Sequence, residues 1–381
     1  MSENMPVSGN FETIPVYIVT GFLGSGKTTL LNHWVNTEEF KDTLVLINEF
    51  GDVGLDHELV QAVDDTVVLL GSGCICCTLQ GELIDSLVQN FIKAAKGTIP
   101  KFRRVLIETT GLADPSGVIS TLNNDDFVFS HYTFSGTITV LDGKNVREQL
   151  KKQYEAVKQI ALADLILVSK TDLIDEEEVE AIEEIAHKIN HSAKILPVLH
   201  GRVSPSVISE IGPYRDGDRR NQNMITSWLS FNDSSIASPL RPASVDNPLS
   251  AARPRIIAHS NIESFSIVRE EPLPPIALLA AIALTAEQYG DSILRIKGIL
   301  NLKDQDKPVI VHGVMGNLYP LSELEEWPEG KRETKLVFIV RATVLEQIKH
   351  IFTQALEHPD AAAMSYYESV VNAADSDVPQ D

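Results

Sequence analysis

Cysteine is almost absent from the 381-residue chain: there are three, all inside the tetrapeptide Cys74-Ile75-Cys76-Cys77. An odd set of adjacent thiols is no disulfide framework. A reducing, cytoplasmic setting with metal or redox chemistry at this one spot is therefore expected. Positive charge is scarce too, with 32 Lys and Arg against 53 Asp and Glu and a formal charge of -21. Phosphate surfaces would repel such a chain, so neither nucleic acid nor an anionic membrane is expected as a general partner. Long apolar runs are missing: the stretch 276–284 falls far short of the roughly 20 residues of a membrane span. The first 15 residues have neither the basic start nor the apolar segment of a signal peptide. What is present is ordinary for a globular protein, 43% hydrophobic and 22% charged, with length enough for two domains.

Between residues 16 and 211 short β-rich runs alternate with helical spacing. Segments 16–20, 43–47, 66–70, 104–107, 136–141, 165–169 and 194–198 read as buried strands, and 175–190 as a helix with an acidic outer face. Apolar strands alternating with helices predict an α/β domain over 12–225, a largely parallel sheet covered by helices, after a tail at 1–11. Segment 226–258 holds Pro239, Pro242, Pro248 and Pro254 among serines and asparagines, and reads as a linker. From 259 to 357 a small α+β domain is predicted. Its strands lie near 262–269, 293–300, 309–312 and 336–341, its helices near 275–288 and 343–356. An acidic tail, 358–381, closes the chain, and no internal repeat is visible.

The octapeptide Gly21-Phe22-Leu23-Gly24-Ser25-Gly26-Lys27-Thr28 lies between a predicted strand and a predicted helix that begins at Thr29. That is the P-loop pattern in its proper context. Gly24 and Gly26 let the backbone turn its N–H groups toward phosphate oxygens, and the helix N-terminus adds partial positive charge. Lys27 neutralises the β and γ phosphates, and the Thr28 hydroxyl can ligate Mg²⁺. Gly21, Ser25 and Thr29 complete the cradle. A P-loop NTPase domain follows.

The base is read from Ser169-Lys170-Thr171-Asp172, at the end of a predicted strand. A carboxylate at Asp172 can accept from N1–H and the exocyclic amine of guanine, and adenine offers neither in that arrangement. Lys170 belongs to the same turn. Ser169 stands where Asn or Thr is common and reaches less far than Asn. GTP is thus expected over ATP, with an ordinary helix cap at Asp172 as the competing reading. Glu108 ends an apolar strand and is followed by Thr109, Thr110 and Gly111. Such a place suits an acid that orients Mg²⁺ or water and a glycine whose amide meets the γ-phosphate.

Three thiols in four residues suit a soft ion, Zn²⁺ or Cu(I), and added oxygen or nitrogen ligands would widen the choice to Co²⁺ or Ni²⁺. Cys74, Cys76 and Cys77 rarely all bind one ion at this spacing, so a further ligand must come from elsewhere. Glu49 and Asp52, in Asn48-Glu49-Phe50-Gly51-Asp52, are candidates. A redox thiol pair and inert structural cysteines remain alternatives.

Together these residues resemble the CobW-type metallochaperone GTPases, relatives of the HypB and UreG proteins of nickel-enzyme maturation. The matching pieces are the loop from Gly21 to Thr29, the run Asn48 to Asp52, Gly73 with the Cys-x-Cys-Cys motif, Glu108 to Gly111 with Ala113-Asp114-Pro115, and Ser169 to Asp172. Leu294-Arg295-Ile296-Lys297-Gly298 resembles the family's C-terminal domain. The resemblance implies slow GTP hydrolysis served by Lys27, Thr28, Glu108 and Asp172. It also implies zinc, cobalt or a similar ion on Cys74, Cys76 and Cys77, with Asp52 or Glu49 assisting, and delivery to a client metalloprotein that the sequence does not name. Three departures stand out. Segment 226–258 holds no histidine, Ile47 replaces an acid found in some members, and the tail lacks the Cys-Pro docking motif of the activators of methionine aminopeptidase.

For hydrolysis a water oriented near Glu108 or Asp52 is expected, with Lys27 and Mg²⁺ stabilising the developing charge. No arginine finger is evident in the GTPase domain, so intrinsic turnover should be slow. Two other classes fit the residues: a zinc-sensing GTP-binding regulator, marked by a metal-dependent dimer without transfer, and a P-loop kinase or ATPase with incidental cysteines. His200, after the 194–198 strand, fits either an approach to the guanine or a solvated loop, while His259 and His312 suit structural roles better than metal-ligand roles.

Overall fold

In a computed structural model the described residues are 13–48, 67–70, 78–111, 113–212, 261–328, 331–361 and 364. The expected linker, most of both tails, and Glu49, Asp52, Cys74, Cys76, Cys77 and His259 lie outside them.

Seven strands form one parallel sheet: β1 (Ile14–Thr20), β2 (Thr43–Asn48), β3 (Val67–Leu70), β4 (Arg104–Glu108), β5 (Tyr132–Asp142), β6 (Leu165–Ser169) and β7 (Lys194–Pro197). Their order is β3-β2-β4-β1-β5-β6-β7. All five residues of β6 are buried, as a strand covered on both faces requires. The helices between are α1 (Lys27–Val35), α2 (Thr78–Ala95), α3 (Ser116–Asn124), α4 (Asp126–His131), α5 (Val146–Lys152), α6 (Tyr154–Ala161) and α7 (Glu176–Ile189). The Asp175 side chain caps α7 by accepting from the Glu178 N–H at 2.8 Å. Three glutamates in its first turn and His187 and Lys188 in its last complement the helix dipole. Strands β2 to β4 lie on one side of β1 and β5 to β7 on the other. That reversal opens a crevice outside the carboxyl end of β1, where open α/β sheets bind ligands.

The second sheet is antiparallel: β8 (Ile262–Arg269), β9 (Ile293–Leu300), β10 (Val309–Val314), β11 (Asn317–Leu318), β12 (Ser322–Glu323) and β13 (Thr334–Arg341). Its order is β11-β10-β9-β13-β8, with β12 also on β10. Helices α8 (Pro275–Tyr289) and α9 (Leu345–Glu357) supply Leu278, Ile282, Ile348 and Phe352 to a core built on Phe265 and Phe338. The rings of Phe265 and Phe338 stack at 4.8 Å. This is the expected α+β unit. Ile262, Leu294, Val314 and Ile339 join the apolar cluster of the first sheet, so the two units meet through buried side chains.

Strand β5 starts at Tyr132, earlier than the expected 136. The register slips between Val16 and Tyr17 opposite it, and Gly136 sits at φ +149°. Ser135-Gly136 serves as a bulge inside one long strand. Among the described residues no helix is long and apolar enough to cross a membrane.

Candidate functional site

The crevice is built from four strand ends. After β1 the chain turns through Gly21, Gly24 and Gly26, at φ +142°, +71° and +99°. A Cβ on Gly21 would stand 2.2 Å from the Val140 carbonyl oxygen, so only glycine fits there. The Lys27 amine is buried and donates to the Gly21 carbonyl at 2.8 Å and the Phe22 carbonyl at 3.4 Å. Burial lowers its pKa, and the nearby Glu108 charge opposes that. Helix α1 begins with no side-chain cap at Gly26 and no acid in its first turn, and Thr28 and Thr29 there are exposed. Its free N–H groups and positive dipole end form a ready anion site. Ser25 Oγ is buried with no hydrogen-bond partner among the described residues.

Ser169, at the end of β6, does something its sequence position does not announce. Its hydroxyl lies 2.5 Å from the Ser25 carbonyl and 3.0 Å from the Leu141 carbonyl, tying the phosphate loop to β5 and β6. Lys170 follows at φ +56° and sets its amine 2.8 Å from Asp142 Oδ2. Burial would raise the Asp142 pKa, but Lys170, Asn145 and the Lys144 N–H outweigh it and hold the carboxyl below its usual range. Asp172 stands exposed in a 3-10 turn, Thr171–Leu173, beside an exposed Leu173.

On the other side of β1, Glu108 is buried at the end of β4 and registers with Val19. The Thr109 N–H donates to the Val19 carbonyl at 2.9 Å, and its hydroxyl donates to Thr20 Oγ1 at 2.9 Å. Gly111 packs so tightly that a Cβ would lie 2.5 Å from the Leu23 nitrogen of the phosphate loop. The next segment is held by α6: Lys158 donates to the Asp114 carboxylate, and Gln159 to the Ala113 carbonyl at 3.2 Å.

The structure thus brings together Gly21, Gly24, Ser25, Gly26, Lys27, Thr28, Thr29, Glu108, Gly111, Lys170 and Asp172 around one crevice. It does not describe Glu49, Asp52, Cys74, Cys76 or Cys77. Among the described residues no group of three or more His, Cys, Asp or Glu could hold a metal. Asn48 and Leu70, the last residues of β2 and β3, pair in register at the sheet edge, on the side where β1 gives rise to the phosphate loop. His312 is buried on β10 rather than at the crevice, and His200 follows β7 at φ +50°. Sequence reading missed Asp142 and Lys158. An aspartate followed by Gly143 at a strand end marks the first. Nothing local marks the second.

Two family models cover the two units. Residues 15–197 match "CobW/HypB/UreG, nucleotide-binding domain", and residues 262–356 match "Cobalamin synthesis protein cobW C-terminal domain". The zinc chaperone YjiA of Escherichia coli is 30% identical over 339 residues, covering 89% of this chain and 98% of that protein. The chain belongs to the CobW/HypB/UreG family. The zinc-regulated GTPase metalloprotein activator 1 of Schizosaccharomyces pombe is 36% identical over 59% of this chain and 55% of its own length. The crystal structure of Zn(II)-bound YjiA GTPase from E. coli superposes with a TM-score of 0.63 at 24% identity, over 91% of this chain and 99% of that one, a likeness of fold. Apart from Ile14 at the start of β1, the strands of the CobW/HypB/UreG nucleotide-binding domain that border the crevice lie within the matched 15–197 span.

Proposed function

We propose that this chain is a slow GTPase that binds zinc, or cobalt, at Cys74, Cys76 and Cys77 and passes the ion to a client metalloprotein, with nucleotide state gating metal affinity. The observation that carries the nucleotide half is the phosphate loop itself. Three glycines at positive φ, an α1 without a side-chain cap at Gly26, and a buried Lys27 amine that donates to the Gly21 and Phe22 carbonyls form a cradle suited to an anion. Lys27 would neutralise phosphate. Thr28 and Glu108 supply the oxygen donors that Mg²⁺ prefers, and the bound ion would screen the phosphate charge. Gly111, packed on Leu23 of the phosphate loop, would meet the γ-phosphate. Asp172 would take guanine, with Lys170 fixed beside it by Asp142. Glu108, or Asp52 outside the described residues, would orient the water.

The metal half rests on the cysteine motif and on relatives whose names include zinc chaperone and zinc-regulated activator. Glu49 and Asp52 follow β2, the motif follows β3, and the two strands end side by side. A nucleotide that reorders the first segment would alter a metal site shared with the second, and by linkage metal would alter nucleotide affinity equally. The test is a Zn²⁺ titration against a competing chelator, once with GDP–Mg²⁺ and once with a non-hydrolysable GTP analogue. A one-to-one site that differs about 5–150-fold between nucleotides, and that Cys76→Ser abolishes, is expected. Equal affinities would defeat the gating. Zinc-driven dimerisation without transfer to an apo-client would make the chain a sensor.

A further inference from the structure

Helix α6 touches both units. Its Lys158 is buried, 5% exposed, and its amine donates to the Asp114 carboxylate and to Ser116 Oγ at 3.2 Å, while Gln159 holds the Ala113 carbonyl. The helix therefore grips the segment that follows Gly111 on the phosphate loop. At its other end the last carbonyls are satisfied by side chains. Asn190 Nδ2 reaches the Ile160, Ala161 and Ala163 carbonyls at 2.9, 3.2 and 2.8 Å. Arg295, from β9 of the second unit, donates through Nη1 to the Leu162 carbonyl at 2.5 Å and the Ala163 carbonyl at 3.1 Å. The same guanidinium pairs with Asp164, and Lys297 donates to that carboxylate at 2.9 Å. Asp164 Oδ2 in turn accepts from the Thr137 N–H of β5 at 3.0 Å. A cation at a helix C-terminus meets its negative dipole end. Here the cation comes from the other domain.

We propose that α6 couples nucleotide state to the C-terminal domain. Lys158 is a positioning residue that fixes 113–116, and the Arg295–Asp164 clasp registers the position of the helix. A guanidinium fixed on three oxygens in a close-packed interior tolerates little displacement, so a small shift of 113–116 reaches β9 as strain on the clasp. The C-terminal domain thereby learns which nucleotide is bound, and its own occupancy by a client must feed back on nucleotide affinity. The inference rests on the GTP reading above.

The test uses the full chain. Amide hydrogen exchange at 294–297 is compared with GDP–Mg²⁺ and with a non-hydrolysable GTP analogue, alongside both affinities, for the natural chain, Lys158→Met and Lys158→Arg. The exchange rates at 294–297 should differ at least about 5-fold between nucleotides in the natural chain. Lys158→Met should erase the difference while keeping GDP affinity within about 2-fold, and Lys158→Arg should restore part of it. If Lys158→Met does not fold, Ser116→Ala, which removes only the weaker partner, should reduce the difference. Nucleotide binding with identical exchange at 294–297 overturns the coupling and leaves the GTP reading intact, as does an undiminished difference in the folded variants. Failure to bind either nucleotide overturns both.

Discussion

Two of the buried lysines, Lys27 in the first unit and Lys297 in the second, are treated differently. Lys27 is 8% exposed, and its amine rests on the carbonyls of its own loop, with the Glu108 charge also acting on it. Lys297 is 2% exposed and shares the Asp164 carboxylate with Arg295. Carbonyls solvate an ammonium without cancelling its charge, whereas a carboxylate cancels it. The first arrangement keeps a formal charge available for a phosphate, and the second spends its charge on joining two domains. Burial alone therefore separates neither binding from structure. The identity of the partner does.

The sharpest way to break this contrast is to remove the carboxylate. Asp164→Ala leaves two buried cations facing α6, and a loss of about 3–5 kcal/mol is expected from urea unfolding. Replacing Asp164, Arg295 and Lys297 together by apolar residues should recover most of that, because desolvation is then avoided. At the other pole, Lys27→Met should leave unfolding nearly unchanged or slightly favoured, yet slow GTP turnover about 100- to 1,000-fold in a phosphate-release assay, a loss of roughly 2.7–4 kcal/mol. A fall in stability at Lys27→Met as large as at Asp164→Ala would erase the distinction. Asp172→Asn comes next: GTP affinity should drop by about 1.5–3 kcal/mol, with xanthosine triphosphate gaining, because the hydrogen bonds lost involve a charged acceptor. Unaltered base preference in a competition titration would return Asp172 to the role of an exposed turn residue.

The two poles were also unequally legible in the sequence. Phosphate binding demands fixed residue types at consecutive positions, so Gly21, Gly24, Gly26 and Lys27 declare themselves. The strand 165–169 and the fold class follow from apolar runs of the right length. The clasp has no such signature. Asp164 and Arg295 are 131 residues apart in sequence, and β9, Ile-Leu-Arg-Ile-Lys-Gly-Ile-Leu, carries two cations that a strand pattern places toward solvent. All eight of its residues are buried. Ser169 has a further role that the sequence leaves unmarked, for a related reason. As a base contact it is a short substitute for Asn, but its partner is the Ser25 carbonyl, brought close only by the parallel pairing of β5 with both β1 and β6.

The smallest effect separates the poles by pH. Burial, then the Arg295 charge, brings the Lys297 pKa down to about 8 from an ordinary 10.5, against the pull of Asp164. Between those values the unfolded chain holds a proton that the folded chain does not, so stability rises with pH across that window. Above about 10 the trend reverses, since burial pushes Tyr132 and Tyr319 upward and the unfolded chain then loses protons first. Asp164 acts at the far end. Burial is outweighed by Arg295 and Lys297, its carboxyl is held well below the usual range, and its contribution is lost only as pH falls below that range. From pH 8 to 10 a gain on the order of 1 kcal/mol is therefore expected in urea midpoints, and Lys297→Met should remove most of it and also weaken the acid limb, because one of the two cations that hold the Asp164 carboxyl down is then gone. Lys27, its pKa also lowered by burial, contributes with the same sign. Saturating nucleotide distinguishes them: phosphate oxygens would hold Lys27 in its ammonium form and cancel its share, while the Lys297 share persists. A slope that vanishes entirely with nucleotide would mean that the clasp, too, responds to the phosphate loop.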